Sequence, residues 1–377
     1  MEVQQLTHFE TGLAVSSPFY FGQGISGRLP EYLRRHSFDR CFLITSEKVL
    51  RLFGQSLLTT LERHSIRCQP VLIDDAEGHK SWSTLQNLCE ELVARGATRD
   101  SLLLALGGGV VGNVVGLAAA LIYRGIRFVE IPTTVTAQTD STLSNKQAIN
   151  GAQGKNQFGV YHAPLFIWAD ADYPRTEPSR QQAAGVVEGV KNVFITQPSV
   201  APAQKLVELW KSGEHFSQFL LELIESKRPI IARDPSEKAS AVSLEYGHTF
   251  GHAIEWLSRG RLLHGEAVSI GMCLAAELSH ALGYASREFV EDHYRILGNR
   301  LDTPIHLPVE LSPAQVYETM LHDNKRTQKG PRFLLLKSPG EFVNEDGDYS
   351  VAADRELVLK VLEQSRHRSN EPEKLAG

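Results

Sequence analysis

The chain has 377 residues, 42% of them apolar and 22% charged, with a formal net charge of −5. That length predicts two domains, and the charge offers no basic footprint for nucleic acid or an anionic membrane. The four scattered cysteines (Cys41, Cys68, Cys89, Cys273) form no CxxC pair, and "MEVQQLTHFETG" carries no secretory signal, so reduced thiols in a cytoplasmic protein are expected.

In the first half, short apolar runs alternate with amphipathic stretches. "RCFLIT" (40–45), "CQPVLI" (68–73), "SLLLAL" (101–106), "RFVEIP" (127–132) and "PLFIWAD" (164–170) read as strands. Helical periodicity falls at 48–64, 83–95 and 111–123. Repeated strand–helix–strand units predict a parallel sheet covered on both faces. Residues 102–123 are uncharged and long enough to span a bilayer, but five glycines and Asn113 interrupt them. A buried strand, a glycine turn and a buried helix account for them better than a membrane span. The polar stretch 133–163 is too long for an ordinary connection and reads as a functional loop.

From about 178 the pattern is helical, with candidates at 178–196, 202–213, 216–234, 245–258, 265–282, 286–298 and 312–322. A β-like "RFLLLK" (332–337) precedes a last helix near 353–365, and the tail "RSNEPEKLAG" reads as frayed. The expectation is an α/β domain over 1–175 and a mainly helical domain over 176–377. Domain junctions are favoured ligand sites.

Three stretches carry chemistry. Gly107, Gly109 and Gly112 fit GxGxxG between a strand and a helix, where backbone can approach a pyrophosphate and free N–H groups face it. Glu130 lies near the spacing of a ribose-binding acid but inside a strand, and a purely structural tight turn would explain the same glycines. His248 and His252 share a helix face four residues apart, a common zinc spacing when a third ligand such as His264 converges. Glu188 could add a carboxylate, with Lys191 one turn away. Lys146, Asn150, Lys155 and Asn156, in a glycine-containing stretch, could hold a phosphate or several hydroxyls, as could the basic turn "HDNKRTQKG" (322–330). Ordinary solvated loops are the alternative for both.

Together "GGGVVGN", "YRGIRFVEIPTT", "TDSTLSNKQAIN", "GKNQFGVYHAP", "GVVEGVKN", "EYGHTFGHAIE", "LLHGEAVSIGM" and "HDNKR" resemble the sugar-phosphate cyclases of the dehydroquinate synthase superfamily. The resemblance implies an α/β fold: an N-terminal parallel-sheet, Rossmann-like NAD-binding domain and a mostly α-helical, metal-binding C-terminal domain. It makes Glu188, His248 and His264 the ligands of a divalent metal, Zn or Co, and moves His252 to the substrate side. NAD would contact Glu77, Lys80, Gly108, Gly109, Asn113, Thr133, Thr134, Asp140 and Lys155. The sugar phosphate would meet Asp140, Lys146, Lys155, Asn156, Lys191, Lys227, His252 and Lys325, with Arg124 reaching its phosphate across a homodimer interface. Ser46 stands where family members often carry an acid near the adenosine ribose.

The resemblance also bears on the substrate. Dehydroquinate synthases typically read "GGGVVGD" and place an Arg and an Asn where this chain has Ala241 and Glu245. Losing a charge-assisted partner costs a carboxylate substrate roughly 1.5–3 kcal/mol, and a facing Glu245 adds repulsion. The combination "GGGxxGN", "KQAxN", "EYGHT" and "HDNKR" resembles the 2-deoxy-scyllo-inosose synthase branch, which implies D-glucose 6-phosphate as substrate and phosphate release in 2-deoxystreptamine aminoglycoside biosynthesis. Lys146, Lys191, Glu245 and His252 are then the catalytic candidates. Dehydroquinate synthase, a metal-dependent polyol dehydrogenase and a non-catalytic NAD- or metal-binding protein are the alternatives.

Overall fold

The structure, a computed structural model, describes residues 4–10, 16–152, 154–233, 240–321, 330–344 and 349–368. The chain begins with an antiparallel pair, β1 (Gln4–Glu10) and β2 (Ser16–Gly22). There follow α1 (Leu29–Leu33), β3 (Cys41–Thr45), α2 (Glu47–Val49), α3 (Gln55–Arg63), β4 (Cys68–Leu72) and α4 (Trp82–Ala94). Next come β5 (Leu102–Gly107), α5 (Gly109–Leu121), β6 (Arg127–Pro132), α6 (Val135–Thr139), β7 (Lys146–Ile149), β8 (Phe158–Tyr161) and β9 (Ile167–Asp170). Seven strands form one sheet in the order β1-β2-β9-β6-β5-β3-β4, parallel at every pairing except β1–β2.

Burial on both faces explains the unbroken apolar runs of the inner strands. Because side chains alternate along a strand, Phe42, Ile44, Leu103 and Phe128 pack with Val111, Val114 and Ala118 of α5. Cys41, Leu43, Leu102, Leu104 and Val129 face the other way, onto Leu57 and Leu61 of α3. The uncharged stretch at 102–123 resolves into β5, a glycine turn and α5, and no helix among the described residues is long and apolar enough to cross a membrane.

Two expectations differ from the structure. The stretch 133–163 holds α6 and an antiparallel hairpin, β7 with β8, in which Lys146 pairs with Tyr161. Four-residue strands and a five-residue helix are too short to leave a readable period. The pair β1–β2 also went unread, because β1 is polar and β2 contains Pro18.

The chain divides into two compact units, Met1–Pro178 with His215–Ser236 and Ser179–Glu214 with Glu237–Gly377. The second contains α7 (Ser179–Thr196) and α8 (Ala201–Ser212), while α9 (Phe216–Arg233) packs against α6 in the first, although it follows the expected boundary at 175/176. The second unit continues with α10 (His248–Ser258), α11 (His264–Ala281), α12 (Arg287–His293) and α13 (Pro313–Met320). Short strands and α14 (Arg355–Arg368) complete it. Its core is the packing of α11 against α7 and α10. Glycines permit that closeness: a Cβ on Gly265 would lie 1.9 Å from the Ala184 carbonyl oxygen, and one on Gly271 2.1 Å from that of Gly247.

Candidate active site

In the second unit, close packing of three helices brings together Glu188 from α7, His248 from the start of α10 and His264 from the start of α11. One ligand atom from each lies within 4.8 Å of the others. The two imidazoles present Nε2 to Glu188 Oε1, at 3.7 Å from His248 and 3.5 Å from His264. That Oε1 is buried and has no hydrogen-bond partner among the described residues. The other carboxylate oxygen, Oε2, accepts from Lys191 Nζ at 2.5 Å, one turn along α7.

The far side of each ring is also held. His248 Nδ1 lies 3.1 Å from the Tyr246 carbonyl, and His264 Nδ1 lies 2.9 Å from Glu255 Oε2. An acceptor at Nδ1 fixes the tautomer whose lone pair is on Nε2, the usual arrangement behind a metal-bound histidine. Gly247, at φ +78°, turns the chain between Tyr246 and His248 in a conformation that favours glycine. The orphaned Oε1 and the two oriented Nε2 atoms therefore fit a divalent cation, and the Glu/His/His donor set suits zinc or cobalt.

Burial and neighbouring charges shift each group of the cluster, and His264, held protonated at neutral pH, would release a proton to a bound cation. Burial alone would raise the Glu188 carboxyl, but Lys191, then His248 and His264, hold it well below the usual range. Burial pushes His248 down to about 3, helped by Lys191 and opposed by Glu188 and Glu245. Burial also lowers His264, yet Glu255 and Glu188 lift it to about 10. Glu245 is thus close enough to act on His248, and the His252 ring lies 5.1 Å from that of His248. Of the HxxxH pair only His248 joins the cluster; His252 stands beside it, one turn along α10.

In the first unit the glycine turn lies at the carboxyl end of β5, where ligands of open parallel sheets bind. A Cβ on Gly108 would lie 3.3 Å from Thr134 Cγ2, and one on Gly109 3.4 Å from Ser141 Oγ. Thr133 N–H donates to the Gly107 carbonyl, and Thr134 Oγ1 caps α6 by accepting from Ala137 N–H. Asn113 is engaged inside the protein, with Nδ2 donating to the Gly109 carbonyl at 2.9 Å and Oδ1 accepting from Ala148 N–H at 3.1 Å. It clamps the turn to β7, and an aspartate there could not make the first bond. Glu130 lies beneath the turn: a Cβ on Gly112 would be 2.8 Å from its Oε1. Burial pushes Glu130 up to about 8. The acid at the motif's literal spacing is therefore a neutral core group in this fold and not a ribose partner.

Two loops of this unit meet. Lys155 pairs with Glu77 at 3.0 Å, Asn150 Nδ2 donates to Glu77 Oε1, and Lys80 Nζ donates to Asn156 Oδ1 at 2.5 Å. Lys227 of α9 donates to Asp140 Oδ1 at 2.8 Å. Lys146 lies on β7. Arg124 sits in a turn of three consecutive positive φ values, Tyr123 at 52°, Arg124 at 67° and Gly125 at 124°. Lys325 and the rest of "HDNKRTQK" lie outside the described residues, as does the tail from 369; of Ala241 only the backbone is described, in a 3-10 turn.

Glu255 and the Tyr246 carbonyl escaped the sequence reading. Glu255 is seven residues after His248 and on the same face of α10, so a search for acids along that face would have found it.

The chain as a whole is similar to known proteins. Residues 70–184 match the N-terminal and 185–326 the C-terminal domain of 3-dehydroquinate synthase. The 2-deoxy-scyllo-inosose synthase of Streptomyces kanamyceticus is 35% identical over 359 residues, 93% of this chain and 92% of that one. The 3-dehydroquinate synthase of Methylococcus capsulatus is 36% identical over 351 residues, 92% and 95% of the two chains. A crystal structure of 2-deoxy-scyllo-inosose synthase complexed with carbaglucose-6-phosphate, NAD+ and Co2+ superposes with a TM-score of 0.83 at 28% identity, covering 97% of this chain and all of that one.

Proposed function

The chain belongs to the 3-dehydroquinate synthase family, and we propose that it is the cyclase of that family which converts D-glucose 6-phosphate into 2-deoxy-scyllo-inosose with loss of phosphate. Overall identity does not separate this activity from dehydroquinate synthesis, because relatives of both kinds are about equally similar. The observation that carries the choice is the position of Glu245, at the end of the 3-10 turn three residues before His248 of the Glu188–His248–His264 cluster. A carboxylate there accepts protons from sugar hydroxyls and repels a substrate carboxylate. Ala241, where dehydroquinate synthases carry an arginine, supplies no guanidinium to offset it.

Glu188, His248 and His264 would hold the metal, and the glycine turn with Glu77, Lys80, Thr133, Thr134, Asp140 and Lys155 would hold NAD. Bound there, the cation would supply Lewis-acid polarisation at the C4 oxygen and NAD a reversible hydride acceptor for C4, with no net exchange of electrons. The chain's own groups do the rest. Lys191 is fixed by Glu188 Oε2 and stands, with His252 and Glu245, where hydroxyl protons are to be moved. Lys146, Asn156, Lys227 and Lys325, with Arg124 from a second copy, would steady the charge on the departing phosphate. With that phosphate goes the C5 proton, and aldol closure of the opened sugar completes the ring.

A homodimer fits the surface of the first unit. A groove of about 690 Å³ is lined by Trp82, Leu85, Cys89, Val93, Leu121 and Ile122. Trp82 is 54% and Leu121 51% exposed, and all four residues of β8 are exposed, including Phe158 and Val160. An exposed apolar edge strand beside an apolar groove calls for a partner, and Arg124 follows Ile122 closely enough to be carried into it. The four free cysteines suit a reducing, cytoplasmic setting.

The test follows phosphate and NADH together when purified protein with NAD+ and Co2+ receives glucose 6-phosphate. Stoichiometric phosphate and carbocycle with no NADH accumulation is the expected result. NADH accumulating without phosphate would make the chain a polyol dehydrogenase and refute the reading.

A further inference from the structure

Nucleotide-binding parallel sheets commonly place an acid at the end of the strand beside the glycine-bearing one, where it takes the adenosine ribose hydroxyls. In this chain the glycine turn ends β5, and β3 is its neighbour on the side away from β6. Ile44 pairs with Ala105, which brings Ser46 level with Gly107, the first glycine of the turn. A serine is too short and uncharged to grip two ribose hydroxyls, and Ser46 is only 4% exposed. Glu130, the other acid near the turn, lies beneath it against Gly112.

Ser46 is instead occupied in aiming a different acid. Its Oγ accepts from Val49 N–H at 3.3 Å and donates its one proton to Asp75 Oδ2 at 2.7 Å. Asp75 follows β4, the next strand out. Thr45 pairs with Leu72, and Ile73 N–H continues the ladder by donating to the Thr45 carbonyl at 3.0 Å. The acid therefore emerges at the same carboxyl edge as the glycine turn, two residues past the end of the ladder. Asp75 is exposed, and its Oδ1 has no partner among the described residues. The same loop runs on to Glu77 and Lys80, which tie it to Lys155 and Asn156.

Resting on the NAD reading above, we infer that Asp75, oriented by Ser46, is the ribose-binding acid of this chain, supplied from one strand further out than usual. It accepts hydrogen bonds from the adenosine ribose hydroxyls and repels the 2′-phosphate of NADP.

Isothermal titration of NAD+ and of NADP+ into the full chain tests this. Asp75→Ala is expected to weaken NAD+ binding roughly ten- to hundredfold and to narrow the preference over NADP+. Asp75→Asn, which keeps the shape and loses the charge, should relax the same preference with a smaller loss of NAD+ affinity. Asp74→Asn serves as control, since Asp74 Oδ1 accepts from Ala76 N–H at 2.9 Å within the loop; it should leave both affinities unchanged. Tight NAD+ binding by the unaltered chain, with equal affinities and equal preference in both Asp75 variants, would overturn the assignment and leave the cofactor reading intact. No NAD+ binding by the unaltered chain would overturn both.

Discussion

Glu255 decides how firmly the Glu188–His248–His264 cluster can hold a cation. Its carboxylate backs His264 at 2.9 Å, whereas His248 is backed only by a backbone carbonyl. Glu255→Gln keeps an acceptor but removes the charge, and is expected to lower Co2+ affinity about 10–100-fold. Titration followed by the visible absorption of bound cobalt measures it, and unchanged affinity would mean that His264 needs no charged support. At this scale the sequence spoke unevenly. "EYGHT", "GVVEGVKN" and "LLHGEAV" named the three residues that the structure gathers, because motif resemblance reports chemistry directly. Spacing alone favoured His252, and it cannot say which ring of a helical pair turns toward a third helix. Glu130 stood near the spacing of a ribose acid but inside a predicted strand, and the structure keeps it there, in β6 under α5.

The packing of α5 on β6 and β7 is unusual for its polarity. Gly112 leaves room for Glu130, and Gly116 leaves room for Gln147, whose Oε1 would lie 2.3 Å from a Cβ there. Burial raises Glu130 from 4.5 to about 8, opposed by a hydrogen bond from Gln147. A folded-state pKa above the unfolded one means that the folded chain binds the extra proton, so stability falls as pH rises through this window. Glu130→Gln is neutral at every pH and removes the penalty. Its thermal midpoint should therefore gain on the unaltered chain between pH 4.5 and about 8 and hold a constant advantage above that. Parallel curves across the range would show that Glu130 ionises freely. Among elements, long periodic segments such as α4, α7 and α11 were readable to within a residue or two. The hairpin β7–β8 was not, because its stability comes from α5 packing against β7 rather than from an internal pattern.

For the molecule as a whole, two units and a parallel sheet followed from the order of strand-like and helical segments. The assignment of α9 to the first unit did not, since a helix carries no local mark of the partner it packs against. The proposed self-association would likewise rest on exposed surface, the apolar groove and β8. Phe158→Glu on β8 should convert a dimer to a monomer in sedimentation, and a monomeric unaltered chain at micromolar concentration would refute the dimer. Substrate choice belongs at this scale too, because it depends on the sum of charges that the sugar meets. It is measured most directly as kcat/KM for phosphate release from glucose 6-phosphate and from the seven-carbon acid substrate of dehydroquinate synthase, on one preparation with NAD+ and Co2+. The account predicts turnover of glucose 6-phosphate and little or none of the acid. Preference for the acid would contradict it and make this chain a dehydroquinate synthase that tolerates Ala241 and Glu245.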